Sequence, residues 1–214
     1  MSYNQFGINI DDSDVYPLSD ASYKLDKPMS YYNPYNSTET TSTLLTDLFV
    51  ASLELAYSTD AIDYSRYDLI IIFHAGIGQD FSLPFLDPTP EDIPSTFIDA
   101  QMIYEYSGNS IISVGGHAIN KGIIMPETQN HLNYDISIDM FSSEQQPCDY
   151  QYGLTGTLSL MIGFAIGLPP LWDIETGDTR IGVFGLMEKG SNNVRGLIHT
   201  APDQWNRIIG LIHI

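Results

Sequence analysis

The side chains of this chain that could bind a metal ion are few, and most are far apart. No two of its five histidines have the three- or four-residue spacing that places two ligands on one helix face; they are His74, His117, His131, His199 and His213. The carboxylates Asp173, Glu175 and Asp178 are closer together, beside Gly177, which permits a sharp turn. Hard oxygen ligands at this spacing suit calcium. We therefore predict a candidate calcium site at these three residues, with a solvated acidic loop as the alternative.

The segment just before these carboxylates has the frame of a zinc-binding helix without its ligands. Residues 156–173 read Gly-Thr-Leu-Ser-Leu-Met-Ile-Gly-Phe-Ala-Ile-Gly-Leu-Pro-Pro-Leu-Trp-Asp. Proteases with an HExxHxxG motif use two histidines and a glutamate on one helix, and a glycine ends that helix before the third ligand. Gly163 and Gly167 occupy the two glycine positions of this frame. The positions of the ligands and of the general base hold side chains that do not bind zinc, namely Leu160, Met161, Phe164 and Pro170.

Several motifs in the same order resemble the immune inhibitor A family of secreted bacterial zinc metallopeptidases. That family typically reads GTIAHEFGHALGLPDLYD and then GIGVWGLMGSGSWN, which resemble residues 156–173 and 181–193 here. Met187 matches the methionine turn beneath the family's metal site. Residues 63–79 resemble the family's DFSxYD strand and HAGxGQ turn, and residues 201–210 resemble its tryptophan-containing stretch. The likeness covers residues 29–214 and departs from the family at the catalytic positions.

The resemblance implies an α/β zincin-like metallopeptidase fold, in which a mixed sheet packs on a buried central helix. With apolar residues at the ligand positions, we expect no zinc and no proteolysis, and a binding or structural role in a secreted or cell-surface protein. A peptide or protein bound in the remnant cleft is the expected partner. The alternatives are an active secreted metallopeptidase with a non-standard metal site and a scaffold module.

Composition limits the remaining classes of function. The chain has 214 residues, of which 43% are hydrophobic, enough for one domain over residues 1–214 with an extended lead-in at 1–28. Its formal net charge of −19 argues against nucleic acid and anionic membranes as partners. The longest apolar run, residues 158–171, is too short for a membrane span. The first residues do not read as a signal peptide, so we expect a piece of a longer secreted precursor.

Hydrophobic spacing and turn residues predict the elements that position these side chains. We expect a helix at 42–57, a buried central strand at 67–74, an ordered proline-rich loop at 80–99, strands at 111–114 and 122–125 on either side of Gly115-Gly116, an irregular stretch at 126–153, a helix buried on all sides within 156–173 and a last helix at 202–210.

Overall fold

The computed structural model describes residues 7–19, 21–34, 41–81, 92–134, 147–173 and 176–213. These ranges contain five α-helices: α1 (Met29–Tyr32), α2 (Thr41–Asp60), α3 (Ala100–Ser107), α4 (Leu154–Ala165) and α5 (Gln204–His213). They also contain seven strands: β1 (Ile71–Ile77), β2 (Thr96–Ile98), β3 (Ile112–Val114), β4 (His117–Ile119), β5 (Gly122–Thr128), β6 (His131–Tyr134) and β7 (Pro147–Tyr150).

The main sheet is small and mixed. Its strand order is β1-β5-β2, with β1 parallel to β5 and β2 antiparallel to β5. The first five residues of β5, Gly122 to Pro126, are all buried. Two antiparallel ribbons, β3-β4 and β6-β7, complete the strands of the described ranges. The architecture is therefore mixed α/β, as the sequence predicts at the level of fold class.

Helix α2 supplies much of the core. Leu45, Phe49 and Leu53 lie at four-residue spacing on its buried face and are at most 5% exposed. The ring of Phe49 lies against Gly122 at the start of β5, where an added Cβ would lie 2.2 Å from the ring carbon Cζ. The glycine thus allows close contact between the helix and the sheet, and the prediction of a helix at 42–57 is confirmed.

The predicted strands differ from the observed ones in two places. The strand predicted at 67–74 forms as β1, but it is an edge of the described sheet, and Phe73 within it is 57% exposed. The central position belongs to β5, whose continuous apolar run is the signature of a strand covered on both faces. Gly115-Gly116 joins β3 to its hairpin partner β4, a strand that was not predicted from the sequence.

Two segments predicted to be irregular contain strands. The predicted loop at 80–99 contains β2, and three of its prolines, Pro84, Pro88 and Pro90, lie outside the described residues. The stretch predicted as irregular at 126–153 contains the end of β5 and the paired strands β6 and β7. Pairing between residues distant in sequence stabilises these strands despite their polar composition.

Helix α4 forms at the predicted place and α5 extends three residues beyond its prediction. The expectation that α4 is buried on all sides is too strong, because its residues alternate between buried and half-buried and Thr155 is exposed. Lys121 donates from Nζ to the carbonyl of Ala165 at 3.0 Å, which places a cation at the negative end of the helix dipole. None of the helices in the described ranges has the length and apolar character needed to cross a membrane.

Candidate functional site

The start of α4 is fixed by a loop from the C-terminal part of the chain. The N–H groups of Gly153 and Gly156 donate to the carbonyls of Arg195 and Gly196, at 2.8 and 2.9 Å. A Cβ on Gly156 would lie 1.8 Å from the backbone oxygen of Ser191, so only glycine fits there. These contacts satisfy N–H groups that have no partner within the helix.

Of the three residues expected to have a structural role, Gly163 and Met187 are in contact, and Gly167 ends the helix that carries Gly163. Met187 is fully buried, and its Sδ would lie 2.4 Å from a Cβ on Gly163. Gly167 follows the end of α4 with a φ of +85°, a conformation that glycine adopts without strain. Leu168 then donates its N–H to the carbonyl of Gly163 at 2.9 Å. Gly163 thus allows close contact with Met187, and Gly167 ends the helix.

The two positions of the helical histidine ligands lie in apolar and aromatic surroundings. Leu160 packs with a buried cluster that contains Met187. The ring of Phe164 lies between those of Phe97 and Trp172, with centroid distances of 6.1 and 5.8 Å. The first contact is stacked and the second is edge-to-face, both favourable geometries for aromatic pairs.

The positions of the general base and of the third ligand are equally unsuited to a zinc site. Met161 is 8% exposed and packs with Ile123 and Met125 of β5. Pro170 is half-buried after the end of α4 and has no ligand atom in its side chain. Among the residues described, no three His, Cys, Asp or Glu side chains are grouped so that they could hold a metal ion. The side chains at the motif positions therefore do not fit zinc.

A cleft of about 310 Å³ opens beside Leu160, at the position of the first histidine ligand. One part of its wall is apolar and another part is polar or charged. Its lining residues are Leu160, Trp172, Gly177, Thr179, Glu188, Lys189, Ser191 and Asn192. Because Trp172 also contacts Phe164, the cleft adjoins the aromatic cluster that occupies the second histidine position. The size suits a side chain or a short peptide segment rather than a large cofactor.

Glu188 holds one wall of this cleft in place, and the sequence pattern did not single it out. It is 3% exposed, and its carboxylate accepts the backbone N–H groups of Arg180, Ile181 and Gly182 at 2.5, 2.7 and 2.8 Å. Three N–H donors converging on one carboxylate compensate for its burial. Glu188 thus acts as a structural clamp for the loop at 180–182.

The predicted calcium site is only partly described, because Glu175 lies outside the described residues. Asp173 accepts the N–H of Thr176 at 3.0 Å and pairs with Arg180 at 3.5 Å. The backbone carbonyl of Asp178 accepts the N–H of Asp173 at 2.9 Å, and Asp178 itself is exposed. The loop is therefore closed by its own hydrogen bonds, and calcium binding there stays a prediction.

The sequence analysis also missed a buried polar cluster on the N-terminal part of α4. The carboxylate of Asp80 accepts from the N–H and Oγ of Ser95, at 3.0 and 2.7 Å, and from Nε2 of Gln129 at 2.6 Å. Gln129 is fully buried and also contacts Oγ1 of Thr157 on α4 at 3.3 Å. Burial raises the pKa of the Asp80 carboxyl, although these hydrogen bonds and nearby His74 act in the opposite direction. No motif marks these residue types in the sequence.

Two histidines have structural partners. The ring nitrogens of His74 lie 2.9 Å from the carbonyl of Ala75 and 3.2 Å from that of Ile93. Nδ1 of His117 lies 3.3 Å from the carboxylate of Asp63. These contacts place both rings in local hydrogen-bonding roles.

Comparison of the chain with protein-family models, with curated proteins and with solved structures found no match.

Proposed function

We propose that this chain is a catalytically inactive domain of the zincin-like metallopeptidase fold that binds peptides as part of a secreted or cell-surface protein. The proposal rests first on the resemblance to the immune inhibitor A family. It is supported by the contact between Gly163 and Met187, since the family also has a methionine turn beneath its active-site helix. It is also supported by the end of α4 before Gly167, since a glycine ends the helix of the HExxHxxG motif as well.

The observation that carries the loss of activity is the packing around Phe164. A metal site needs electron-pair donors directed at one point, together with a water molecule activated by a base. At the corresponding place this chain has Phe164 between Phe97 and Trp172, with Leu160 and Met161 in apolar clusters. Apolar side chains there also avoid the cost of burying ligand groups that have no metal to pair with.

Two features support peptide binding beside this helix. Within the described ranges, β2 pairs with β5 on one side only, and an edge strand is the kind of element to which an extended peptide can add as a further strand. The contact between Phe97 of β2 and Phe164 connects this edge to the aromatic cluster at the cleft. In the cleft, Leu160 and Trp172 offer an apolar surface, and Lys189 offers a positive charge. We therefore expect peptides that carry an apolar side chain next to an acidic one.

Metal content and protease activity test the first half of the proposal. We expect substoichiometric zinc by mass spectrometry of the purified protein and no cleavage of casein with or without added zinc. Stoichiometric zinc with chelator-sensitive cleavage would instead establish the alternative, an active metallopeptidase with a non-standard site. The triple variant L160H/M161E/F164H should also lack full activity, because Pro170 still provides no third ligand.

Peptide binding can be followed through Trp172. In a W205F background Trp172 is the remaining tryptophan, so its fluorescence reports on the cleft. Acidic–apolar peptides should change this signal saturably. A second protein that carries N192W is then added as a competitor for the peptide. The new indole should fill its cleft, so it should bind the peptide about tenfold more weakly or worse than a competitor with Asn192. N109W, at an exposed asparagine outside the cleft, is the matched control. Equal binding by the two variants would contradict a role for the cleft.

A further inference from the structure

Both ring nitrogens of His74 on β1 face carbonyl oxygens. Nδ1 lies 2.9 Å from the carbonyl of Ala75, and Nε2 lies 3.2 Å from the carbonyl of Ile93. A carbonyl oxygen only accepts hydrogen bonds, so each contact needs a proton on the ring nitrogen. The neutral imidazole has one N–H and the imidazolium has two. Only the charged ring therefore completes both hydrogen bonds.

The contact with Ile93 joins two segments that are distant in the chain. Ile93 is 1% exposed, and its carbonyl also accepts the N–H of Gln79, which follows β1, at 3.3 Å. Two residues further on, Ser95 donates from its N–H and its Oγ to the carboxylate of Asp80. This segment leads directly into β2. The ring of His74 is thus one of the contacts that hold the segment before β2 against the end of β1.

The other charged side chains on the elements around this ring are carboxylates. Across β1 and the turn after it, the segment at 92–98 and β5, there is no Lys or Arg, and the carboxylates are Asp80, Asp92 and Glu127. Helix α1, which approaches β1, has no charged side chain. Burial raises the pKa of the Asp80 carboxyl, and the charge of His74 acts against this rise. A cation at His74 therefore meets opposite charges and no like charge on these elements.

We propose that His74 is a pH-sensitive latch between β1 and the segment that leads into β2. While the ring is charged, it donates to both carbonyls and lies among carboxylates. As the pH rises through the range in which histidine side chains ordinarily titrate, about pH 6.5, the ring loses one N–H, and a nitrogen lone pair then faces a carbonyl oxygen. The contribution of the ring to holding this segment is therefore full below that range and falls as the pH rises through it.

The latch acts on the segment at 92–98 and does not depend on peptide binding. Since this segment contains β2, the latch makes the position of that edge strand sensitive to pH. His199 provides an internal comparison, because its described ring contact is a single one, from Nδ1 to the carbonyl of Thr200 at 3.0 Å. A neutral ring can make that contact, so His199 should not respond in this way.

Hydrogen exchange of the amides in residues 93–98 tests the latch. After correction for the intrinsic exchange rate at each pH, the opening constant of this segment in the wild type should rise about tenfold between about pH 5.5 and about pH 8. H74Q retains an amide donor but does not titrate, so its opening constant should be nearly independent of pH. H199Q, which removes a histidine with one carbonyl contact, is the matched control and should behave as the wild type does.

The ring protons of the wild type test the same geometry without a variant. At about pH 5.5, NMR should detect both ring N–H protons of His74, because hydrogen bonds protect both from exchange with water, and only the Nδ1 proton of His199. Three results would overturn the proposal: a wild-type opening constant that does not change with pH, an equal rise in H74Q, and a single protected ring proton on His74.

Discussion

Helix α4 packs against two buried neighbourhoods of opposite chemistry. At Thr157 the contacts are polar and lead through Gln129 to Asp80. One turn further along the same helix, Met161 packs in an apolar cluster that includes Met125. Thr157 and Met161 are similarly buried, at 4% and 8% exposed, so burial alone does not distinguish the two neighbourhoods.

The difference shows two ways in which a buried position can be stable. The polar cluster is acceptable because its donors and acceptors are paired, and losing one member leaves the others without partners. The apolar neighbourhood needs no partners, but it provides no acid, base or ligand for catalysis. The comparison can therefore be tested by introducing a polar group into the apolar neighbourhood or by removing one from the polar cluster.

The largest effect is expected from a charge in the apolar neighbourhood. M161E would bury a carboxylate in the apolar cluster that contains Ile123 and Met125, and the expected loss of unfolding free energy is about 4 kcal/mol. Urea denaturation at neutral pH measures this loss. M161L, which conserves volume, should cost less than about 1.5 kcal/mol. A loss below about 1 kcal/mol for M161E would mean that water or a polar group already reaches this position.

Removing the amide at the centre of the polar cluster should have the next largest effect. Q129L would leave the Asp80 carboxylate and the Thr157 hydroxyl without their shared partner, at a cost of about 2–3 kcal/mol in unfolding free energy. Q101L, at an exposed glutamine of α3, is the matched control and should change stability by less than about 0.5 kcal/mol. Equal stabilities of the two variants would show that the cluster is not a coupled unit.

A smaller effect is expected where the helix contacts the methionine turn. In G163A the new methyl group would meet Sδ of Met187, which can shift because it lies near the end of a flexible side chain. Overpacking of about 2 kcal/mol, less the roughly 1 kcal/mol by which alanine favours a helix, leaves a net loss of about 1 kcal/mol.

A double-mutant cycle with M187A isolates this contact. Without the thioether, G163A should become neutral or stabilising relative to M187A alone. The same loss in both backgrounds would show that Met187 is not what restricts residue 163 to glycine.

The features predicted best from sequence are those that depend on neighbours along the chain. The frame of the zinc-binding motif, with its two glycines, placed α4 and its end at Gly167, and the resemblance to the metallopeptidase family implied a methionine turn at Met187. The central strand could not be placed in the same way. Both β1 and β5 read as apolar runs, and their order in the sheet depends on pairing between distant segments.

The polar cluster could not be predicted for a related reason. Gln129 lies 49 residues from Asp80 and 28 from Thr157 along the chain. Gln, Asp, Ser and Thr are common surface residues, so no composition or spacing signal marks these as buried. Asp173 and Asp178 show the opposite case, because their spacing resembles that of metal ligands while Asp173 pairs with Arg180.

The smallest expected effect concerns the charge of Asp80 and has a defined pH dependence. Burial raises the pKa of this carboxyl above its ordinary value of 3.8, so the folded chain favours the neutral side chain. As the pH rises through the interval between the ordinary value and the raised one, the unfolded chain loses its proton first. The unfolding free energy contributed by Asp80 is therefore full below this interval and falls as the pH rises through it.

D80N removes this titration and keeps an oxygen that can accept from Ser95. Its stability relative to the wild type should rise across that interval and reach a gain of up to about 1 kcal/mol at neutral pH. Urea denaturation of both proteins at a series of pH values measures the difference, and D178N, at an exposed aspartate, controls for the change in net charge. Parallel stability curves for D80N and the wild type would show that hydrogen bonds fully compensate the buried carboxylate. The polar cluster would then tolerate a charge as readily as the apolar neighbourhood tolerates Met161.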